Sequence, residues 1–501
     1  MKSGWLALVF SVLLGVTAAC SGTQGPSGKP DPADTDQTKV QEDNAQAQQE
    51  AHEGKEATPP KKKITYGPAD PKYQMDLEYN GKNHTISGSM KVEFSNNLNK
   101  MLQHVYFNLW PNAEKFKNGG ITVENIKVNG EKVAYQVNRT KLDISKLSIK
   151  KGKAATVEMD FTVQIPKMHD RFGWYGTNVS LGNWFPILAV YDNEGWNLDP
   201  YFKHGESFYS LTGDFDLTLT ADSEEVIAAT GQEIEKSQGN NGKTIHHYKA
   251  HNVRDFAVEI DSQYHVKTAQ VGEVEVHLYY TDEQSRYADA IWETGKESLR
   301  LFNEKFGPYP WPELDIVGME ADWFGGMEYP QLVMVSLYEP FGLDFMKLST
   351  AHEIGHQWFY GAVGNNEYDT TFLDESLTSY ASALYAGTLN KLSSNPPPAS
   401  FYHLSSPVST FTKHAERGGI DAYNYTFYNY GPAVLNELRQ LVGDDAFYAA
   451  MQQYYRDMKF KIATTADFVG IMQESTGRDL SKFFEKYRIY VEDPQQKVSN
   501  H

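Results

Sequence analysis

Two histidines four residues apart, His352 and His356, flank Glu353 in the run AHEIGH, and Glu375 follows with eighteen residues between it and His356. On a helix, positions four apart lie on one face about a turn apart, so both imidazoles can reach a common point. Zinc takes imidazole nitrogen at about 2.0–2.1 Å, and its catalytic centres use a third protein ligand while one position stays open. Glu375 offers that third group from FLDESLTSYASALYAG, whose spacing predicts a second helix after the loop GAVGNNEYDTT. Glu353 falls one step round from His352, where its carboxylate can take a proton from water. The plainer reading is a core histidine pair on an amphipathic helix, with Leu348, Ala351, Ile354 and Trp358 facing inward and Gly355 allowing close packing. Glu375 tips the balance to one Zn2+ per chain, held by His352, His356 and Glu375.

The elements that must carry these groups change character along the chain. From about residue 66 to 269, segments such as HTISGSMKVEFSN, HVYFNLWPN and ATVEMDFTVQIP alternate apolar and polar residues with period two, and NNLNK, VNGEK and SQGNNGK supply turns. This predicts a β-rich domain. After EVEVHLYYTDE the spacing becomes helical in SRYADAIWETGKESLRLFNEKFG, which stops at Gly307 before PYPWP. Two short apolar runs, LDIVGME and QLVMVS, read as strands, and from about Lys347 to residue 492 nearly every segment reads as helix. The expected fold class is α+β and multidomain, with an all-β part first and a mainly α part from 270 to 492, then a polar tail at 493–501.

The first residues carry an address. MKSGWLALVFSVLLGVTAACSG has a basic start, an apolar run too short for an ordinary membrane span, and small residues before Cys20, the single cysteine of the chain. TAAC resembles a bacterial lipobox, so residues 1–20 are expected to be a lipoprotein signal and Cys20 the lipidated residue, with Thr17 departing from the usual leucine. Acyl chains there would tether the protein to a membrane outside the cytoplasm. Residues 21–65 lack aromatics and are rich in Gln, Glu, Asp, Pro and Gly, the composition of a disordered spacer. A net charge of −19 without any basic stripe speaks against nucleic acid as a partner.

HEIGHQWFYGAVGNNEYDTTFLDES resembles the aminopeptidase N family of gluzincin zinc metallopeptidases (peptidase family M1), as do GPYPWPELDIV and GGMEYP. The resemblance implies a saddle-like β domain followed by a thermolysin-like catalytic domain, without the large helical C-terminal domain of many relatives. It implies that Gly325, Gly326, Met327 and Glu328 bind substrate: the glycines as an edge strand against an extended peptide, Glu328 on its free α-amino group. It also implies that Tyr428, in YNYGPAVLNELRQL, stabilises the oxyanion, although Tyr423, Tyr425 and Tyr430 stand close in sequence.

Two departures accompany the resemblance. Tyr329 follows Glu328 where the family more often has asparagine, and GTNVSLGNWFPILAVYD offers Asn183 where larger relatives place a second acidic or amide group for the substrate amine. The expected partners are peptides with a free N-terminus. Rival readings are a thermolysin-type zinc endopeptidase, which has no need of an amine anchor, and a non-catalytic peptide-binding surface lipoprotein.

Overall fold

The protein is described by a computed structural model covering residues 64–202, 205–206 and 208–491. Cys20, the signal segment, nearly all of the spacer and the polar tail lie outside the described residues.

The β part is organised around one large sheet, whose strands in spatial order are Gln232–Gln238, Lys243–Val253, Gly213–Asp222, Ala69–Asn80, Thr85–Ser95, Ala154–Gln164, Gly120–Val128 and Glu131–Lys132. Every pairing is antiparallel except that of Ala69–Asn80 with Gly213–Asp222. Period two is what builds it. Tyr73, Met75, Leu77 and Tyr79 are buried while the residues between them are exposed, so one face supplies core and the other meets water. Two smaller four-stranded sheets pack on it; one carries Phe172–Tyr175 and Asn178–Leu181, and the loop Gly182–Asn183 that leaves it bears on the site below.

A five-stranded sheet opens the second part, in the order His265–Val271, Val274–Tyr280, Glu313–Met319, Leu332–Ser336, Gly326–Met327. The helix Ser285–Phe306 links the parallel strands Val274–Tyr280 and Glu313–Met319, as a parallel pair requires. Its buried residues Ala288, Ile291, Gly295, Ser298, Leu299, Phe302 and Phe306 recur every three to four positions, and Gly307 ends it with φ of 121°. The helix Leu343–Gly355 packs on this sheet and Glu375–Tyr385 packs on that helix, followed by Gly431–Val442, Asp444–Met458 and Thr465–Thr476. A β part of several sheets followed by a mainly helical part is the α+β architecture the sequence spacing predicts.

One buried acid tests the β part. Glu259 is fully buried in the strand Val258–Asp261; its Oε2 accepts from Asn178 Nδ2 at 3.0 Å and from the Tyr264 hydroxyl at 3.3 Å, while Oε1 has no partner. Burial pushes its carboxyl up to about 8. The folded chain therefore keeps a proton that the unfolded chain sheds above its ordinary carboxyl range, so stability falls as pH rises toward about 8. Thermal melting between about pH 5 and about pH 9 should show wild type losing ground steadily to Glu259→Gln. A constant gap between the two would mean that Glu259 is ionised throughout.

Candidate active site

The helix Leu343–Gly355 brings Glu353 and His352 to its last turn, and His356 caps it in helical geometry with φ of −62°. Glu375 opens the next long helix, Glu375–Tyr385. Packing between the two is close because Gly355 carries no side chain: a methyl there would stand 3.1 Å from Thr378 Cγ2. As a result the three expected ligands converge. His352 Nε2 lies 3.2 Å from Glu375 Oε2 and 3.1 Å from His356 Nε2, and His356 Nε2 lies 3.6 Å from Glu375 Oε2.

These separations suit one ion. Ligands at about 2.0–2.1 Å in tetrahedral array stand about 3.4 Å apart. Two ring nitrogens facing each other at 3.1 Å cannot both carry protons, a conflict that a shared metal removes. Behind them His356 Nδ1 is 2.5 Å from Asp374 Oδ1 and 3.1 Å from both Phe359 O and Thr378 Oγ1. A proton on Nδ1 donated to Asp374 leaves the Nε2 lone pair for the metal, the arrangement that orients metal-binding histidines. Burial holds His352 below its ordinary range, which favours the neutral ligand. For Glu375 burial opposes ionisation, but the hydrogen bond with His352 and the charge of His356 outweigh it and hold the carboxyl low. The residues present therefore fit zinc.

Glu353 and Glu328 lie beside this set. One carboxylate oxygen of each falls within 4.8 Å of the other and of a His356 ring nitrogen, and both side chains are buried. Burial pushes Glu353 up to about 8, with Glu375 and Glu206 adding to the effect and His356 opposing it. Glu328 rises well above its usual range, again chiefly by burial. It follows the short strand Gly326–Met327, which pairs antiparallel with Leu332–Ser336 at the edge of the sheet, leaving the outer side of that strand unpaired in the sheet order. Gly326 is required here: a Cβ would stand 2.5 Å from Glu353 Cγ and 2.5 Å from Met334 O. Gly325 accepts from Ser336 N at 2.8 Å, and Met327 is buried.

Of the four tyrosines close in sequence, Tyr428 alone reaches the metal ligands. Its hydroxyl donates to Glu375 Oε1 at 2.5 Å, and burial keeps the phenol protonated far above its ordinary range. The Tyr425 hydroxyl donates to Asn395 O, Tyr430 packs against Tyr487, and the Tyr423 hydroxyl is buried without a partner. Tyr428 lies in a π-helical turn, Tyr425–Tyr430, a distortion frequent at functional sites.

The β part reaches the site differently from what the sequence suggests. Asn183 is committed to other partners: its Oδ1 accepts from the Tyr329 hydroxyl at 2.8 Å and its Nδ2 donates to Asp255 Oδ2. The residue that departs from the family pattern after Glu328 thus finds its partner in the other domain. A side chain at Gly182 would overlap the Tyr329 hydroxyl, so the two surfaces meet without a gap. The carboxylate that the β part does bring is Glu206, bidentate with Arg171 at 2.5 and 2.9 Å and close enough to act on Glu328, Glu353 and Tyr428. Glu206 sits in an irregular loop with no motif around it, so nothing in the sequence singled it out. Asp374 was legible only as the neighbour of Glu375.

Residues 291–487 match the peptidase family M1 domain. Curated relatives include aminopeptidase M1-B of Oryza sativa subsp. japonica, 24% identical over 55% of this chain and 34% of its own length. Aminopeptidase N of Streptomyces lividans is 26% identical over 38% of this chain and 25% of its own length. Aminopeptidase B of Homo sapiens is 29% identical over 36% and 30%. The matched segments span about a quarter to a third of these relatives. Among solved structures, an M1 zinc metallopeptidase from Deinococcus radiodurans superposes with a TM-score of 0.57 at 16% identity, over 85% of this chain and 94% of that one. Legionella pneumophila aminopeptidase A in complex with aspartic acid gives 0.63 at 17% identity, over 85% and 50%.

Replacing Tyr329 by Phe leaves Asn183 Oδ1 buried without its donor. That should cost about 1–3 kcal/mol in urea unfolding, the penalty of an unsatisfied buried acceptor. An unchanged midpoint would show that water replaces the hydroxyl.

Proposed function

We propose that the protein is a zinc-dependent aminopeptidase that removes residues from the N-terminus of peptides, a reading supported by the match of residues 291–487 to the peptidase family M1 domain. The observation that carries this reading is the placement of Glu328 at the end of an open edge strand, within reach of Glu353 and the ligand set. A peptide laid antiparallel on Gly325–Met327 has backbone partners there, and its α-ammonium meets Glu328 after one residue. The Arg171–Glu206 pair adds a second carboxylate to that end of the cleft.

Zinc, when bound by His352, His356 and Glu375, supplies Lewis acidity at the scissile carbonyl. Glu353 takes the proton of the attacking water. Burial has already raised its proton affinity, so it can hold that proton and deliver it to the leaving amine. The Tyr428 hydroxyl, protonated and poised on Glu375 Oε1, turns to donate to the oxyanion as charge develops there. Glu328 fixes the ammonium and with it the register of cleavage.

The signal segment and Cys20 support an extracytoplasmic, lipid-anchored enzyme in this reading, and the net charge of −19 speaks against nucleic acid as a partner.

A peptide with a free N-terminus and its N-acetylated twin separate the readings. Chelator-sensitive release of single residues from the free peptide only is the expected result. Equal cleavage of both would make the protein an endopeptidase, and cleavage of neither with zinc bound would favour a binding protein. Glu353→Gln should lower turnover by about a hundredfold or more while zinc content stays the same. Glu328→Gln should lower kcat/KM by about ten- to a hundredfold, mainly through KM, since it removes a charge-assisted bond to the ammonium.

A further inference from the structure

The parallel strands Val274–Tyr280 and Glu313–Met319 are in register with Glu275 opposite Glu313 and His277 opposite Asp315. Alternate residues of a strand face the same way, so these four side chains form a two-by-two grid on one face of the sheet. Within it His277 Nδ1 lies 2.9 Å from Asp315 Oδ1 and 3.9 Å from Glu313 Oε1, and His277 Nε2 lies 3.6 Å from Glu275 Oε1. One ligand atom from each of His277, Glu313 and Asp315 falls within 4.8 Å of the others. The spread resembles that of His352, His356 and Glu375, whose ligand atoms stand 3.1 to 3.6 Å apart.

The β part covers this grid. Tyr248, on the strand Lys243–Val253, feels the charges of Glu233, Asp315 and Glu313, and His246 shares its buried face with ring centroids 6.3 Å apart. His246 is 1% exposed; its Nδ1 is 2.6 Å from Glu233 Oε1, and its Nε2 is buried without a partner. Charge is badly out of balance. Among the described residues, Glu233, Glu275, Glu313 and Asp315 form no ion pair with lysine or arginine, and only the imidazoles of His246 and His277 stand against them.

We propose that His277, Glu313 and Asp315 form a second cation site, which takes a divalent ion of the zinc or manganese kind at the junction of the two parts. Mixed imidazole and carboxylate ligands suit those ions. Glu275 stands at the exposed rim, and Glu233 with His246 closes the site from the β part. An ion there ties the strands Val274–Tyr280 and Glu313–Met319 together and offsets the carboxylates facing the β part.

Metal counting tests this without reference to turnover. Full-length protein is stripped with chelator, saturated with zinc, freed of unbound ion and analysed by mass spectrometry. Two zinc ions per chain are expected, one in Glu313→Gln/Asp315→Asn, one in His352→Ala/His356→Ala, and none when the pairs are combined. A single zinc in wild type that disappears in His352→Ala/His356→Ala overturns the proposal and leaves the peptidase centre standing. A single zinc that disappears only in Glu313→Gln/Asp315→Asn supports the second site and removes the zinc reading of the first. Because the double carboxylate variant could fail to fold, metal-free His352→Ala/His356→Ala protein, with and without the further change His277→Ala, is also titrated with Mn2+, the free ion being followed by electron paramagnetic resonance. The double histidine variant should retain manganese with affinity about tenfold or more above that of the variant that also carries His277→Ala; equal retention by the two overturns the site.

Discussion

Glu328, Glu353 and Glu375 turn their carboxylates into one buried region, and much of the structure serves that single electrostatic constraint. Like charges in a medium of low dielectric repel strongly, and burial itself opposes ionisation. Among the described residues none of the three is paired with a lysine or arginine, and Arg171 is already committed to Glu206. The fold sets only His356, already hydrogen-bonded to Asp374, against all three, so a further positive charge from outside the fold would settle them. On the zinc side His352 and His356 complete a cradle with Glu375. On the other side, in the proposed function, Glu328 takes the ammonium of a peptide, and an acylated N-terminus would have no charge to offer it.

Holding such a site requires stiff supports at every carboxylate. Gly326 lets Glu353 lie flat against the edge strand, where any side chain would collide with it. Gln357 secures the strand's far end from the same helix-terminal turn that presents His356: its Oε1 accepts from Gln331 N at 2.8 Å and its Nε2 donates to Tyr329 O at 3.0 Å. Tyr329 then carries the connection across to Asn183 and Asp255. One run of residues, from Gly325 to Gln331, is thus fixed by the metal-bearing segment on one side and by the β part on the other.

The convergence of His352, His356 and Glu375 was legible because much of its geometry is local. Histidines four apart on a helix must share a face whatever the rest of the chain does, and Glu375 opens the next long helix. The strands of the β part were legible for a similar reason, since period-two burial is written residue by residue in segments such as Tyr73 to Tyr79. What the sequence hid is what arises between elements distant along the chain. Asn183 stands in the region where larger relatives place an amine-binding group, and only the structure shows that its Oδ1 is taken by Tyr329, 146 residues away. Glu206 was invisible because a loop has no periodicity, and only its bidentate partner Arg171 and the neighbouring carboxylates give it meaning. Tyr428 was named by resemblance from among Tyr423, Tyr425 and Tyr430, whereas the π-helical turn that carries it is something no spacing rule anticipates.

The same physics links the cleft to the junction of the two parts. A chain with a net charge of −19 has acidic side chains to spare, and placing them in pairs on adjacent strands, as Glu275 with Glu313, works against the fold unless something neutralises them. At the surface, water and salt do so at little cost. Glu275 keeps access to solvent at the rim, but Glu313 and Asp315 are covered by the β part, and His277 is the imidazole that stands against them. A lysine at any grid position would have solved the problem permanently. Its absence, at the junction as in the cleft, gives both places the same character: carboxylates and imidazoles arranged with the charge balance left to a cation that comes and goes.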